Sequence, residues 1–107
     1  MASGDQIGPN SFKLLDGLAA QDDGVWVDAR AFQTQSIQVT GITTATIKIC
    51  GSNAQTKPAN NTHGAQIGSD ITADSIVSVL HPVKWIKARI SAHTTGTISA
   101  FQYGFVR

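Results

Sequence analysis

The chain is expected to be an all-β protein, an antiparallel β-sandwich of jelly-roll-like character with about seven to eight strands, and three observations lead there. Alternation with a period of two recurs along the chain, most plainly over residues 84–106. There Ile86, Ala88, Ile90 and Ala92 share one face, while Trp85, Lys87, Arg89, Ser91 and His93 share the other. Composition favours strands, with eleven Ile, seven Val and eleven Thr against four Leu and no Glu. Turn signals built on Gly, Asp, Asn and Pro return at intervals of about 8 to 12 residues, the spacing of sandwiches and jelly rolls.

Residues 1–10 are small and polar, with Gly4, Gly8 and Pro9, and read as a flexible N-terminal arm that orders only where something holds it. Residues 11–107 read as a single sandwich domain. Phe12, Leu14 and Leu15 open it, and Gln21-Asp22-Asp23-Gly24 is a turn signal. Residues 24–29 alternate, with Val25, Val27 and Ala29 opposite Trp26 and Asp28. Residues 35–40 form a strand with Ile37 and Val39 inward. Gly41-Ile42-Thr43 is a short connection to a second strand over 44–50, where Ala45, Ile47 and Ile49 point inward and Thr46, Lys48 and Cys50 outward. So short a link between two amphipathic strands predicts an antiparallel pair. Residues 51–64, GSNAQTKPANNTHG, are the longest loop, expected to be exposed and variable in conformation. Residues 65–70 and 71–80 are two further strand candidates, and His81-Pro82 ends the second. The last segment reads as a hairpin turning at His93-Thr94-Thr95-Gly96. Its second arm begins with Ile98 and Ala100 on one face, but Phe101, Tyr103 and Phe105 take the opposite parity. Either both faces of that arm are covered, or a bulge between Ala100 and Gln102 switches the register.

A length of 107 residues suits one domain with one core. Charged residues make up 14%, well under the roughly 25% typical of globular proteins, and Ser, Thr, Asn and Gln take their place. A net charge of +1 argues against a dedicated nucleic-acid binder. The charge is uneven, with Asp5, Asp16, Asp22, Asp23 and Asp28 early in the chain and Lys84, Lys87, Arg89 and Arg107 late. That split fits two solvated surfaces, or an acidic part that meets a basic face. Cys50 is the single cysteine, so no internal disulfide framework exists. No apolar run approaches the roughly 20 residues of a membrane-spanning helix, and the first residues lack the pattern of a secretory signal. Synthesis and folding in a reducing cytosol are the expectation, with no membrane partner.

Little in the sequence points to chemistry. His63, His81 and His93 lie in or beside turns with no ligand spacing and no companion carboxylate cluster, so no metal or cofactor is expected. A nucleophilic Cys50–His pair needs the fold to bring the two together, and Cys50 reads first as a small packing residue. Asp22-Asp23-Gly24 is a turn before it is a carboxylate pair. Trp26 and Trp85 occupy the face opposite the small aliphatic residues. They are core, or part of a subunit interface strengthened by Lys87 and Arg89, or a platform for stacking sugars.

The phrases GVWVDARAFQTQSIQVTG, ATIKICGSN and VKWIKARISAHTTGTISAFQYGF resemble small virion proteins from the structural modules of tailed phages, including capsid decoration (cement) proteins. The likeness spans residues 24–106 and lies in the wording of strands, so no site residue carries over from it. It implies a non-enzymatic jelly-roll or sandwich protein on the capsid exterior. Its partner would be the major capsid protein, and its own assembly dimeric or trimeric. On this reading the protein-interface residues are Asp5, Ile7, Phe12, Trp26, Trp85, Lys87 and Arg89. The same wording suits a tail or baseplate accessory module that binds host carbohydrate or receptor. That module would stack sugars on Trp26 or Trp85, with Asn53, Gln55, Asn60 and Asn61 as hydrogen-bonding groups.

Overall fold

Two long strands carry the architecture of the computed structural model, which describes residues 2–106. In chain order the strands are β1 (Asp5–Gly8), β2 (Ser11–Leu18), β3 (Val27–Asp28), β4 (Phe32–Ser52), β5 (Ala65–Gln66), β6 (Ser75–Val79) and β7 (Trp85–Val106). β4 and β7 pair antiparallel from Phe32↔Val106 to Ser52↔Trp85, with one register shift between Phe32 and Thr34 and the rest clustered between Thr40 and Ile47. The expectation of an all-β antiparallel sandwich of about seven strands holds.

The local connections differ from the expected ones. Gly41–Thr43 and His93–Gly96 do not turn the chain back on itself. Both are bends inside single strands, and each arm pairs with the other long strand rather than with its own continuation. The reason lies in two facing glycines. Gly41 has φ +83° and Gly96 φ +114°, a region that residues with a Cβ avoid. A Cβ on Gly41 would sit 1.9 Å from the Thr97 carbonyl oxygen, and one on Gly96 2.5 Å from that of Gly41. The two backbones touch at the bend, where only glycine leaves room.

Each long strand therefore serves two layers. The first contains β1, β2, the C-terminal half of β7, the N-terminal half of β4, and β6. The second contains β3, the N-terminal half of β7, the C-terminal half of β4, and β5. Bridges at Asp22↔Ile90 and Ile47↔Ile71 extend its two margins. At the bend itself the register slips, and Ala92 pairs with Thr46 and His93 with Ala45. The same parity faces inward on either side of the bend, so Ile37 and Val39 share a core with Ile47 and Ile49, and Ile86, Ala88 and Ile90 with Ile98 and Ala100. Each such large side chain, once fully buried, contributes about 1.5–3 kcal/mol.

No bulge between Ala100 and Gln102 switches the register of β7. Even-numbered residues stay inward through Gln102 and Gly104, both buried, and Tyr103 and Phe105 face outward. Gln102 Nε2 donates to Gln35 Oε1 at 2.7 Å, and Gln102 Oε1 accepts from the Phe12 amide at 3.2 Å. Gly104 is inward because the ring of Phe32 fills its side-chain space, 2.3 Å from where a Cβ would stand. The N-terminal residues expected as an arm lie along β2. Gln6 pairs with Phe12, the Gly4 amide donates to the Lys13 carbonyl at 2.6 Å, and Ser3 Oγ accepts from the Asp16 amide.

Candidate functional site

The outward face of the second layer is covered by its own loop. Trp26, Cys50 and Trp85 cluster there with Lys87, and all four are buried. Residues 53–62 are exposed apart from half-buried Pro58, as a polar loop should be, yet their backbone is pinned from below. Trp26 Nε1 donates to the carbonyls of Ala59 (3.1 Å) and Thr62 (3.0 Å), and Trp85 Nε1 to that of Ala54 (3.0 Å). The Lys87 ammonium donates to the carbonyls of Asn60 (2.8 Å) and Thr62 (2.9 Å) and meets His63 Nδ1 at 2.8 Å. It also stands 4.9 Å from the Trp26 ring centre. An ammonium has three donors, and this cage supplies three acceptors and an aromatic face, which is what a buried positive charge requires.

The electrostatics of this cluster follow from burial. Removal from water lowers the Lys87 pKa, with Arg89 acting in the same direction and Cys50, Asp23 and Asp22 opposing. Burial pushes the Cys50 thiol up against the pull of Lys87, Arg89 and Lys48. His63 is lowered by desolvation, then by Lys87 and Arg89, while Asp23, 3.7 Å from His63 Nε2, opposes. A buried thiol whose pKa is raised is a poor nucleophile. Among the described residues no group of three His, Cys, Asp or Glu is placed to hold a metal. What the arrangement does is fasten a loop.

This placement decides several sequence expectations. Trp26 and Trp85 are 1% and 8% exposed, so neither ring offers a free face for sugar stacking. Lys87 is fully buried and braces the loop, and Arg89 beside it is half-buried, its Nε without a partner among the described residues. The loop is exposed, and hydrogen bonds to its Ala54, Ala59, Asn60 and Thr62 carbonyls tie it to the sheet beneath. Asp5, Phe12, Trp26 and Trp85 do come together, around an open groove of about 370 Å³ between the β1–β2 hairpin and residues 25–28, with Lys57 on the rim. Arg30 lies 5.3 Å from the Trp85 ring centre and pairs with both carboxylate oxygens of Asp28, which holds the Asp28 pKa below its usual value. Ile7 stands exposed on β1.

The largest apolar exposure lies elsewhere, on the outward face of the first layer. Ile76, Leu80, Tyr103 and Phe105 are 66%, 69%, 61% and 63% exposed. The pairings Ser36↔Tyr103, Ser36↔Ser78, Thr34↔Phe105, Gln38↔Phe101 and Gln38↔Ile76 set these residues in rows across β7, β4 and β6. Thr34, Ser36, Gln38 and Ser78 fill the places between, so this part of the face carries no charge. Lys13 lies only at its margin, 5.4 Å from the Phe101 ring centre. Sequence reasoning missed this surface because it offered only two accounts of the aromatic parity, a second covered face or a bulge. The signal available was Gln102 and Gly104, which hold the inward positions between the aromatics.

No family model matches this chain, and no curated protein or solved structure matches it either.

Proposed function

We propose that this chain is a non-enzymatic virion protein of a tailed phage. It is a capsid decoration protein that binds the major capsid protein lattice from outside and stabilises it. The observation that carries this reading is the uncharged part of the first layer's outer face, over β7, β4 and β6. Ile76, Leu80, Tyr103 and Phe105 together offer apolar surface on the order of 500 Å², a size at which exposed patches on monomers are often functional. A flat face of aromatic and aliphatic side chains spaced by Ser and Thr suits contact with another folded protein, with Tyr103 and Phe105 as anchors. On a lattice, many copies bind at once, so modest affinity per copy suffices. The resemblance in strand wording supplies the phage context, and the pinned loop keeps the opposite face closed.

The test is co-sedimentation with purified phage heads stripped of small accessory proteins. Wild-type chain should pellet with heads and saturate. A Tyr103→Asp, Phe105→Asp double variant should lose most of that binding while keeping its thermal midpoint, because both side chains are already exposed. Equal occupancy by the variant would remove this face from the mechanism. Saturable binding of wild type to host polysaccharide, with none to heads, would replace decoration with the tail accessory reading.

A further inference from the structure

β6 ends the first layer with an open edge. It pairs with β4 on one side, and among the described residues no strand pairs with its other side. Natural sheets guard such edges with charge, proline, bulges or covering loops, because unpaired N–H and C=O groups recruit further strands. Residues 75–80, SIVSVL, have none of the sequence guards; Asp74 and Pro82 flank the segment without interrupting it. Ile76 and Leu80 are the two most exposed large hydrophobic side chains among the described residues, and both belong to this segment.

We propose that the free edge of β6 is the docking site for a second copy of this chain, joined antiparallel with the two-fold axis passing Ser78. The sequence is what selects a second copy. Ile76-x-Ser78-x-Leu80 reads the same pattern in both directions, so pairing centred on Ser78 sets Ile76 opposite the second copy's Leu80 and Leu80 opposite its Ile76. Val77 meets the second copy's Val79, and no charged residue lies within the paired segment 75–80. Moving the centre to Val77 sets Leu80 against the Asp74 carboxylate and Ile76 against Ser78, which wastes both apolar residues. With the Ser78 register the two first layers become one sheet. The row Phe105–Thr34–Leu80 continues into Ile76–Gln38–Phe101 of the second copy, and the uncharged face doubles. This association does not depend on what that face binds.

Analytical ultracentrifugation of the full chain over a concentration series, with three variants, tests the register. Wild type should dimerise. Ser78→Lys places two ammonium groups directly opposite each other and should weaken association by at least about tenfold, leaving the melting temperature of the dilute protein unchanged. Ser78→Cys should form a disulfide-linked dimer under mild oxidation, since Cα atoms of directly opposed residues lie about 4.5–5.5 Å apart, within disulfide reach. Ile76→Cys should not, because at about 3.4 Å per residue the two Ile76 positions stand about 14 Å apart. Cys50 is 2% exposed and does not compete. A wild type that stays monomeric overturns the proposal. So does a Ser78→Lys variant that dimerises as wild type does, or an Ile76→Cys variant that cross-links as readily as Ser78→Cys.

Discussion

Replacing Gly41 by alanine tests the bent pair of strands on which both layers depend. The added Cβ would stand 1.9 Å from the Thr97 carbonyl oxygen and 2.9 Å from its carbonyl carbon. Carbon–oxygen contacts settle at about 3.3 Å or more, so the two backbones must part by about 1.4 Å. That displacement falls between the Thr40↔Ser99 and Ile42↔Gly96 pairs and has no flexible side chain to absorb it. The φ of +83° adds about 1–2 kcal/mol of intrinsic strain. Together these should destabilise the fold by about 3 kcal/mol or more, at the upper end of single-substitution effects. Two other glycines separate the terms. Gly68 has φ +75° with open space around it, so Gly68→Ala should cost the conformational strain alone, about 1–2 kcal/mol. Gly8 has open space and no positive φ, so Gly8→Ala should stay within about 0.5 kcal/mol. Urea denaturation followed by circular dichroism measures all three, and a drop above about 12 °C in melting temperature is expected for Gly41→Ala. If Gly41→Ala matched Gly68→Ala, the close backbone approach would be wrong.

Two predictions concern the pinned loop. The folded state lowers the His63 pKa below its ordinary 6.5, so the unfolded chain takes up the proton first. Stability is therefore full above about pH 6.5 and falls as the pH drops below it; protonated His63 can no longer accept from the Lys87 ammonium 2.8 Å away. Tryptophan fluorescence of Trp26 and Trp85 should shift on acidification from neutral pH, and His63→Gln, which keeps an acceptor without titrating, should flatten that shift. An identical pH profile in the variant would remove His63 as its source. Lys87→Ala deletes the donor to Asn60, Thr62 and His63 and should cost about 2–4 kcal/mol. It should also speed proteolysis within residues 53–62 and thiol labelling of Cys50; unchanged rates would show that the loop is held without Lys87.

Much of the fold was legible because period-two alternation reports burial directly. The inward sets Ile37/Val39, Ala45/Ile47/Ile49, Ile86/Ala88/Ile90 and Ile98/Ala100 are buried as the pattern predicts, whereas Ala92, expected on the face of Ile90, is exposed where the register slips at the bend. The same pattern cannot distinguish a strand that bends from two strands joined by a turn. In the sequence the apolar parity is the same on both sides of Gly41 and of Gly96, and a Gly after polar Thr residues suits either outcome. Only the contact between the two glycines, 55 positions apart in the chain, decides it. The buried site was hidden for a related reason. Trp26, Cys50, Trp85 and Lys87 were correctly placed on the outward face, but outward from a sheet does not mean exposed when a loop returns over it. Three backbone carbonyls and a histidine nitrogen that satisfy one lysine leave no mark in local sequence. The outer aromatic face was readable in principle. Gln102 is polar and Gly104 has no side chain, so neither signals an inward position by itself, yet a glutamine paired to Gln35 and a glycine that admits Phe32 fill those positions.

The most direct measurement of the central claim is a density map of an intact phage particle that carries this chain, resolved well enough to orient each copy. Copies on the outside of the head, with Tyr103 and Phe105 turned toward the major capsid protein, are the expected result. Copies confined to the tail, or head-bound copies with those two rings facing solvent, would contradict it.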